Sequence, residues 1–300
     1  MESLPTVAVL GCGRMGGAMA GTLHRAGFDL IVWNRDPEKA RRVAGPLSAA
    51  VAATPAEAVA QAEVALSSLA DDDAVRSVYL GERGVVEGLR PGVVMMEMST
   101  IDPEVVVEIG FAVDGTGAAL LDAPVSGSVT TVEQGALTIM VGGEAAAIET
   151  ARPVLEALSA RVIEVGKRGT GAATKLAVNT LVHGLNVALS EALVLAERAG
   201  VERSVAYEVF ASGAGGAPFV QYKREAYEHP ESAVVAFSLD LVAKDLELIT
   251  GLGERVGVQM DQAEIELQIV KRAIAAGLGN RDLSAVAVLL RGDAETEDRR

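Results

Sequence analysis

Aromatic residues are scarce in this sequence: phenylalanine, tryptophan and tyrosine together make up only 3% of its 300 residues. Half of the residues are nevertheless hydrophobic, so alanine, valine, leucine and isoleucine must build the core. Such small aliphatic side chains suit closely packed helices. The chain is long enough for two domains of ordinary size.

Cysteine occurs once, as Cys12, which excludes a disulfide within the chain and is typical of a reducing compartment. Residues 1–6 contain no basic stretch followed by an apolar one, so we expect no signal peptide. No uncharged apolar run reaches the ~18 residues that a membrane span needs. We therefore expect a cytoplasmic protein that does not enter a membrane.

Positive charge is also in deficit, because 26 lysine and arginine residues face 41 aspartate and glutamate residues, which gives a formal net charge of −15. A chain this acidic repels nucleic acid and anionic membrane surfaces, so neither is an expected partner. An anionic ligand would have to be held by a local cluster of hydrogen-bond donors. The sequence has no cluster with the spacing of metal ligands, so we expect no metal ion.

Short apolar runs alternate with helical patterns in the first half of the chain. This alternation is typical of parallel strands joined by crossover helices, and it predicts an α/β fold with an N-terminal Rossmann-type doubly wound sheet. The predicted strands are Thr6–Leu10, Phe28–Trp33, Glu63–Leu69, Val93–Met98, Ala118–Asp122, Ala136–Val141 and Arg161–Val165. The helices predicted among them include Met15–Ala26, Pro37–Ala44 and Glu144–Leu158.

The pattern changes after Gly166. Apolar residues recur at helical spacing without proline from Ala172 to Ala199, which predicts one long interdomain helix that Gly200 would end. Further helices are predicted over Ser204–Ser212, Leu239–Val256 and Gln262–Gly277, and we find no convincing strand. We therefore expect a Rossmann domain over 1–165, an all-α domain over 166–290 and a frayed polar tail over 291–300.

A glycine-rich turn follows the first predicted strand. The sequence Gly11-Cys-Gly13-Arg-Met-Gly16 has the GxGxxG spacing and lies between a strand and a helix. In such a turn the first glycine permits the sharp bend, the second lets a pyrophosphate approach the backbone, and the third lets the helix pack against the strand. The N-terminus of the helix then offers its N–H groups and positive dipole end to the phosphates. The turn predicts a dinucleotide site, and a glycine-rich turn in another kind of α/β protein is the alternative.

The second predicted strand ends at Asn34-Arg35-Asp36-Pro37. An acidic residue at that end would bind the ribose hydroxyl of NAD, whereas an arginine favours the 2′-phosphate of NADP. Asp36 fits the N-cap of the next helix, because Pro37 suits the first helical position. We therefore predict NADP rather than NAD. In the alternative, Asp36 binds the ribose and Arg35 is solvated.

Three further motifs follow the glycine turn with its Met15 and Ala20. They are Asp122-Ala-Pro-Val-Ser126-Gly127, Gly169-Thr-Gly171-Ala-Ala-Thr-Lys175-Leu-Ala-Val-Asn179 and Lys244-Asp245-Leu246. In this order the four motifs resemble the β-hydroxyacid dehydrogenase family, which includes the 3-hydroxyisobutyrate dehydrogenases and the glyoxylate/succinic semialdehyde reductases. The resemblance extends from Val7 to about Leu290, and Asn34-Arg35 is similar to the members that use NADP. It implies reversible hydride transfer between NADP(H) and a small carbonyl or hydroxy acid.

Lys175 and Asn179 lie four residues apart in the predicted long helix, so they share one face. A lysine can donate a proton to a carbonyl oxygen if burial or a nearby positive charge lowers its pKa. From the helix alone, a solvated lysine would be the better interpretation. The family motif reverses this preference and implies that Lys175 is the proton donor, while Asn179 holds a carboxylate or hydroxyl of the substrate.

The resemblance implies roles for further residues. The hydroxyl of Ser126 and the backbone amides of Ser126 and Gly127 would bind the substrate carboxylate, and Phe237 and Asp245 would line the substrate site. A core side chain and a surface charge are the alternatives for Phe237 and Asp245. The residues expected to bind the dinucleotide are Gly11, Gly13, Arg14, Met15, Gly16, Asn34, Arg35, Leu69, Ala70, Thr100 and Lys244.

One stretch departs from the family pattern. The family often has a second glycine and other small residues after Gly127, where this chain has Ser128 and Val129-Thr-Thr131. The departure leaves the identity of the substrate open more than the class of reaction. Short aldehyde acids such as glyoxylate or succinic semialdehyde are the expected substrates, in a cleft between the two domains.

Two other functions compete with this hypothesis. An imine reductase shares the architecture and the use of NADPH, but its relatives usually lack the pair Lys175 and Asn179. A non-catalytic dinucleotide-binding scaffold is the other. The apolar long helix predicts association into a homodimer or homotetramer. His183, eight residues after Lys175, is interpreted as a packing residue, with a polar contact to substrate as the alternative.

Overall fold

The computed structural model describes residues 4–292, which form two compact units along the chain, one up to Lys175 and one from Leu176 onward. The boundary predicted at residues 165 and 166 lies earlier in the chain and stays a prediction. The predicted tail differs at its first residue, because Arg291 ends a helix and is buried. The rest of that predicted tail, from residue 293 on, lies outside the described residues.

The first unit is built on a nine-stranded sheet. Its strands are β1 (Val7–Leu10), β2 (Leu30–Trp33), β3 (Ala50–Val51), β4 (Val64–Ser67), β5 (Val94–Glu97), β6 (Ala119–Asp122), β7 (Val125–Ser126), β8 (Leu137–Gly142) and β9 (Ser159–Gly166). They lie in the order β3-β2-β1-β4-β5-β6-β8-β7, with β9 paired to β8. The first six are parallel, whereas β8 is antiparallel to β6 and β7. The order 3-2-1-4-5-6 is that of a Rossmann sheet, so the predicted fold class is confirmed.

Helices cover both faces of this sheet. They are α1 (Arg14–Arg25), α2 (Pro37–Leu47), α3 (Pro55–Ala60), α4 (Asp72–Leu80), α5 (Val85–Gly88), α6 (Pro103–Asp114), α7 (Val129–Glu133) and α8 (Ala145–Leu158). Alternate residues of a strand point to opposite faces, and in β1 Val7 and Val9 belong to one buried cluster while Ala8 and Leu10 belong to another. Burial on both faces explains why these strands are continuous apolar runs in the sequence.

The second unit is helical. Its helices are α9 (Thr170–Arg198), which begins in the first unit, α10 (Arg203–Ser212), α11 (Pro218–Glu228), α12 (Leu239–Val256), α13 (Asp261–Ala273) and α14 (Val286–Arg291). A π-helical turn spans Ile274–Leu278 and a 3-10 turn spans Leu283–Ala285. No strand is present between Leu176 and Gly292, which confirms the all-α prediction for the described residues.

The predicted long helix is α9, and Gly200 follows its end with a φ of +92°. By length and composition alone α9 would be able to cross a membrane, with a mean hydropathy of 1.3 in its most apolar window. Half of that window is buried inside the protein, and the core helix of a soluble protein passes the same test. The helix is therefore weak evidence for a membrane span.

Candidate active site

The glycine turn has the shape that a pyrophosphate site requires. Gly11 has a φ of +100°, and a Cβ there would stand 2.3 Å from the carbonyl oxygen of Ser68. A Cβ on Gly16 would stand 1.9 Å from the carbonyl oxygen of Gly11. At Gly13, by contrast, no atom of the described residues other than Gly13 and its two chain neighbours lies within 4 Å of the Cβ position. Gly13 is also the N-cap of α1 and has no side chain to cap it, so a ligand can approach the first amides of the helix.

The turn lies where ligands bind in sheets of this kind. The strand order reverses at β1, which pairs with β2 on one side and β4 on the other. Ligands bind outside the carboxyl ends of the strands at such a switch point. Gly11, Leu69 and Thr100 come just after the carboxyl ends of β1, β4 and β5, which are neighbouring parallel strands. They therefore lie along one edge of the sheet, here called the carboxyl edge, at which β6 also ends.

Asn34 joins the glycine turn to the end of β2. Its Oδ1 accepts a hydrogen bond from the backbone N–H of Cys12 at 3.0 Å, and its Nδ2 donates to the carbonyl oxygen of Asp36 at 3.0 Å. Asp36 is the N-cap of α2, as its position before Pro37 predicts, and its carboxylate accepts from the N–H of Glu38. Arg35 is exposed beside them.

A buried carboxyl group that was not predicted from the sequence stabilises the backbone at the carboxyl edge. Glu97 is 1% exposed, and it accepts hydrogen bonds from the hydroxyl of Ser67 at 2.5 Å and the N–H of Ser99 at 2.8 Å. The Ser99 hydroxyl in turn accepts from the N–H of Leu69 at 2.8 Å. Burial raises the pKa of Glu97. The network fixes the backbone at Leu69, and its signal in the sequence is a lone acidic residue inside an apolar strand.

Asp122 explains why the second and third motifs occur together. Its side chain is almost fully buried at the end of β6 and accepts hydrogen bonds from the N–H of Gly169 at 2.9 Å and of Ala172 at 2.8 Å. Burial raises the pKa of Asp122 to about 6 although these N–H groups oppose the shift. A Cβ on Gly171 would stand 2.5 Å from the Asp122 carbonyl oxygen, so this position requires glycine. The carboxyl group thereby caps the start of α9.

Lys175 lies in the second turn of α9 and is half-buried. Because Asp122 holds the start of this helix at the end of β6, the helix begins at the carboxyl edge. The glycine turn, Leu69 and Thr100 lie at the same edge. The fold thus brings Lys175 to the side of the sheet on which the predicted dinucleotide contacts lie.

Ser126 and Gly127 follow β6 by a short turn. Ser126 is half-buried in β7 and pairs with Thr138 of β8. Gly127 is exposed with a φ of +144°, and a Cβ there would stand 2.8 Å from the side chain of Leu137. The departure from the family pattern that begins at Ser128 forms the capping box of α7, in which Ser128 and Thr131 exchange side-chain and backbone hydrogen bonds.

In the second unit, Asp245 gathers the remaining predicted site residues. It is fully buried, which contradicts the alternative of a surface charge, and its Oδ2 accepts from the Asn179 Nδ2 at 2.6 Å. The Nζ of Lys244 lies 2.9 Å from its Oδ1. Burial alone would raise the pKa of Asp245, but contacts with His183 and Lys244 outweigh it and lower the pKa. The half-buried Phe237 stacks on His183 at 6.1 Å between ring centroids. These five residues are called the Asp245 cluster below.

Among residues 4–292, no three His, Cys, Asp or Glu side chains gather where they could hold a metal ion. The fold and the glycine turn instead define a protein that binds a nicotinamide dinucleotide. A family model for the NAD binding domain of 6-phosphogluconate dehydrogenase matches residues 6–166. A second model, described as NAD-binding of NADP-dependent 3-hydroxyisobutyrate dehydrogenase, matches residues 169–290.

Relatives with known names cover nearly the whole chain. Glyoxylate/succinic semialdehyde reductase 1 of Arabidopsis thaliana is 34% identical over 280 residues, which are 93% of this chain and 96% of the relative. An NAD-dependent L-serine dehydrogenase of Pseudomonas aeruginosa is 32% identical and covers 94% of this chain and 97% of its own. The crystal structure of 3-hydroxyisobutyrate dehydrogenase from Salmonella typhimurium superposes with a TM-score of 0.87 at 27% identity, covering 95% of this chain and 99% of that one.

The chain belongs to the β-hydroxyacid dehydrogenase family. It is an NAD(P)-dependent oxidoreductase of the kind that acts on CH–OH groups. The resemblance seen in the four sequence motifs is thereby confirmed.

Proposed function

We propose that the protein is an NADP(H)-dependent reductase of small carbonyl acids, reversible toward the corresponding hydroxy acids, with Lys175 as the proton donor. One observation carries the proposal: the carboxyl group of Asp122 caps α9 at the carboxyl edge. The helix that contains Lys175 therefore starts beside the strand ends at which Rossmann sheets bind dinucleotides. A half-buried lysine at that edge suits proton transfer better than a solvated one.

Lys175 acts on the oxygen of the carbonyl group. The bound nicotinamide supplies the hydride that adds to the carbonyl carbon. As the C=O double bond opens, negative charge develops on oxygen, and the Lys175 ammonium group transfers a proton to it. In the opposite direction the neutral amine removes the proton from the hydroxyl group.

The substrate is positioned by polar groups of the motif that contains Ser126 and Gly127 and of the motif that contains Asn179. The Ser126 hydroxyl and the backbone N–H groups at Ser126 and Gly127 bind the carboxylate, since glycine permits close approach. Asn179 binds the substrate near its carbonyl oxygen. An ionised Asp245 can only accept hydrogen bonds, so one N–H of the Asn179 NH2 group donates to it, and the second N–H is left to donate to an oxygen of the substrate.

The preference for NADP rests on the end of β2. Asn34 is engaged with the glycine turn and Asp36 with the N-terminus of α2, whereas Arg35 is exposed. Guanidinium groups bind phosphate through paired, charge-assisted hydrogen bonds. Arg35 would then bind the 2′-phosphate. The comparisons name both forms of the cofactor, since one family model is described for an NADP-dependent enzyme and one relative is named as NAD-dependent.

A panel of small carbonyl acids tests the substrate class. Glyoxylate, succinic semialdehyde and other aldehyde acids are offered with NADPH and with NADH, and a cyclic imine is included. We expect oxidation of NADPH with at least one aldehyde acid. We also propose that the enzyme is cytoplasmic. Turnover of the imine alone would mean an imine reductase, and no turnover of any carbonyl acid would refute the proposed substrate class.

Lys175→Ala tests the proton donor. Loss of general acid catalysis should lower kcat by about 10²–10⁴-fold while the Kd for NADPH stays at the wild-type value. Lys271→Ala is the matched control, because this exposed lysine of α13 forms an ion pair with Glu247 on the surface. Turnover of Lys175→Ala at the wild-type rate would show that another group donates the proton.

Arg35→Ala tests the cofactor preference. Hydrogen bonds to charged groups contribute about 1.5–3 kcal/mol, so the KM for NADPH should rise at least about tenfold while the KM for NADH is unchanged. Arg42→Ala, at an exposed position of the following helix α2, should behave as the wild type. Equal effects on both cofactors would contradict a contact to the 2′-phosphate.

A further inference from the structure

His183 is a buried imidazole in the Asp245 cluster. It is 2% exposed, and among the described residues neither of its ring nitrogens has a hydrogen-bond partner. Its Nε2 lies 3.6 Å from the Oδ2 of Asp245, within ion-pair distance and just beyond a hydrogen bond. Its ring stacks on Phe237 at an interplanar angle of 27°. The imidazole is therefore turned toward the same carboxylate oxygen that accepts from Asn179.

Packing alone does not explain a histidine at this position. Burying a polar ring without hydrogen bonds is unfavourable, and a leucine would fill a similar space without that cost. The imidazole does, however, act on Asp245, because its contact helps to lower the pKa of that carboxyl group against the effect of burial. The polar character of His183 is thus directed at one neighbour.

Charged groups face His183 from two other helices. On α12 these are Asp245 and the adjacent Lys244. On α13 the group is Glu266, which is 3% exposed, accepts from the amide of Gln262 at 2.8 Å and interacts electrostatically with His183. Burial raises the pKa of Glu266. Of the two carboxyl groups near the imidazole, Asp245 is therefore the ionised one.

We propose that His183 is a positioning residue for substrate binding: it holds the Asp245 carboxylate in the orientation that fixes the amide of Asn179. Asp245 has Lys244 at one oxygen and both Asn179 and His183 at the other. The contact with His183 keeps the carboxylate turned toward Asn179, so the second N–H of the amide is presented to the substrate in one direction. The inference rests on the proposed function, in which Asn179 binds the substrate.

Two substitutions separate positioning from packing. His183→Leu keeps the volume and removes the polar contact, whereas His183→Gln keeps a side-chain N–H that can face Asp245. We expect His183→Leu to raise the KM for the carbonyl acid about tenfold or more, with kcat and the Kd for NADPH nearly unchanged and no loss in Tm. His183→Gln should restore the KM to near the wild-type value. His24→Leu, at an exposed position of α1, is the control.

A second measurement does not depend on turnover. Hydrogen exchange of the Asn179 side-chain amide, assigned by its disappearance in Asn179→Asp, should be faster in His183→Leu than in the wild type and normal in His183→Gln. An unchanged KM and unchanged exchange in His183→Leu would overturn the inference, as would a His183→Gln variant as impaired as His183→Leu. If the wild type reduces no carbonyl acid, the proposed function fails, and the exchange experiment still decides the role of His183.

Discussion

Two glycines of one turn make room for different partners. At Gly11 the missing side chain makes room for the protein itself, because the position has a positive φ and closely approaches the Ser68 carbonyl. At Gly13 the space is open and the backbone φ of −73° suits any residue. The first glycine is therefore required for folding of the turn, and the second for the approach of a ligand.

Alanine at each position should separate these requirements. Gly11→Ala adds strain of about 1–2 kcal/mol from the left-handed backbone, and the clash with Ser68 adds to it, so we expect a lower free energy of unfolding and weak NADPH binding. Gly13→Ala should unfold like the wild type but bind NADPH at least about tenfold more weakly, since a methyl group displaces the pyrophosphate. Urea unfolding and fluorescence titration with NADPH measure both. Unimpaired binding by Gly13→Ala would contradict the assigned pyrophosphate position.

Sequence motifs named most residues of the candidate site, but not their partners. The glycines follow from their spacing in one short stretch of chain, whereas the roles of Lys175 and Asn179 are implied by the resemblance to the family. Glu97 and Asp122 act through hydrogen bonds to residues far along the chain, such as Ser67 and Gly169. No local pattern encodes such pairs, so the supporting carboxyl groups became visible only in the folded molecule. The burial of Asp245 is likewise set by α9 and α12 together.

Among the elements, length decided what could be predicted. The long strands and helices of the first unit, and α9 in the second, have clear periodicity and appear where expected. Strands β3 and β7 have two residues each and give no alternation. Helix α11 was also missed, because its eleven residues are mostly polar and charged and only four of them are buried. Its apolar face is too narrow to stand out.

At the start of α9, Asp122→Asn should be destabilising below about pH 6, where the raised pKa keeps the wild-type carboxyl group protonated. An asparagine has one acceptor oxygen for two N–H groups, so one buried donor loses its partner, at a cost of about 1–3 kcal/mol. The start of the helix then loosens, and kcat should fall because Lys175 is less well held. Asp29→Asn, at an exposed position, is the control for urea unfolding and for activity. Wild-type stability and kcat in Asp122→Asn would show that the cap does not hold the helix.

The stability difference between the wild type and Asp122→Asn should depend on pH, because the aspartate titrates and the asparagine does not. Because the pKa of Asp122 is raised from 3.8 to about 6, the folded protein binds this proton more tightly than the unfolded chain. Its contribution to stability is full below pH 3.8 and is lost as the pH rises through about 6, and the shift corresponds to about 3 kcal/mol. The stability difference between wild type and Asp122→Asn should therefore shrink over this range. A difference that grows with pH would reverse the sign assigned to burial.

At the scale of the whole molecule, the second unit exposes several large apolar side chains. Leu181 and Leu195 of α9 are 71% and 72% exposed, and Val205 and Val209 of α10 are 53% and 63% exposed. Exposed large apolar side chains in such number mark association surfaces. The proposal of a homodimer or homotetramer, made from the composition of α9, has these residues as its natural interface.

Glutamate at these leucines should prevent association. We expect the wild type to sediment at a multiple of the 30.9 kDa chain mass and the double variant Leu181→Glu/Leu195→Glu to sediment as a monomer, because buried charges oppose assembly. Leu80→Glu, which alters a 42% exposed leucine of the first unit, should leave the mass unchanged. A wild type that sediments at the mass of one chain would disprove the oligomer.

The cap on α9 also limits how this protein can be recombined with related proteins. The carboxyl group of Asp122 belongs to the stretch matched by one family model, and the amides that it binds, at Gly169 and Ala172, belong to the stretch matched by the other. A chimaera joined near residue 167 keeps the start of α9 anchored only if the first parent provides the carboxylate and the second provides the glycines that let it approach. Exchange of these two parts of the chain therefore depends on two short motifs. Shuffled libraries should yield active clones only from parents that have both the carboxylate motif and the glycine motif.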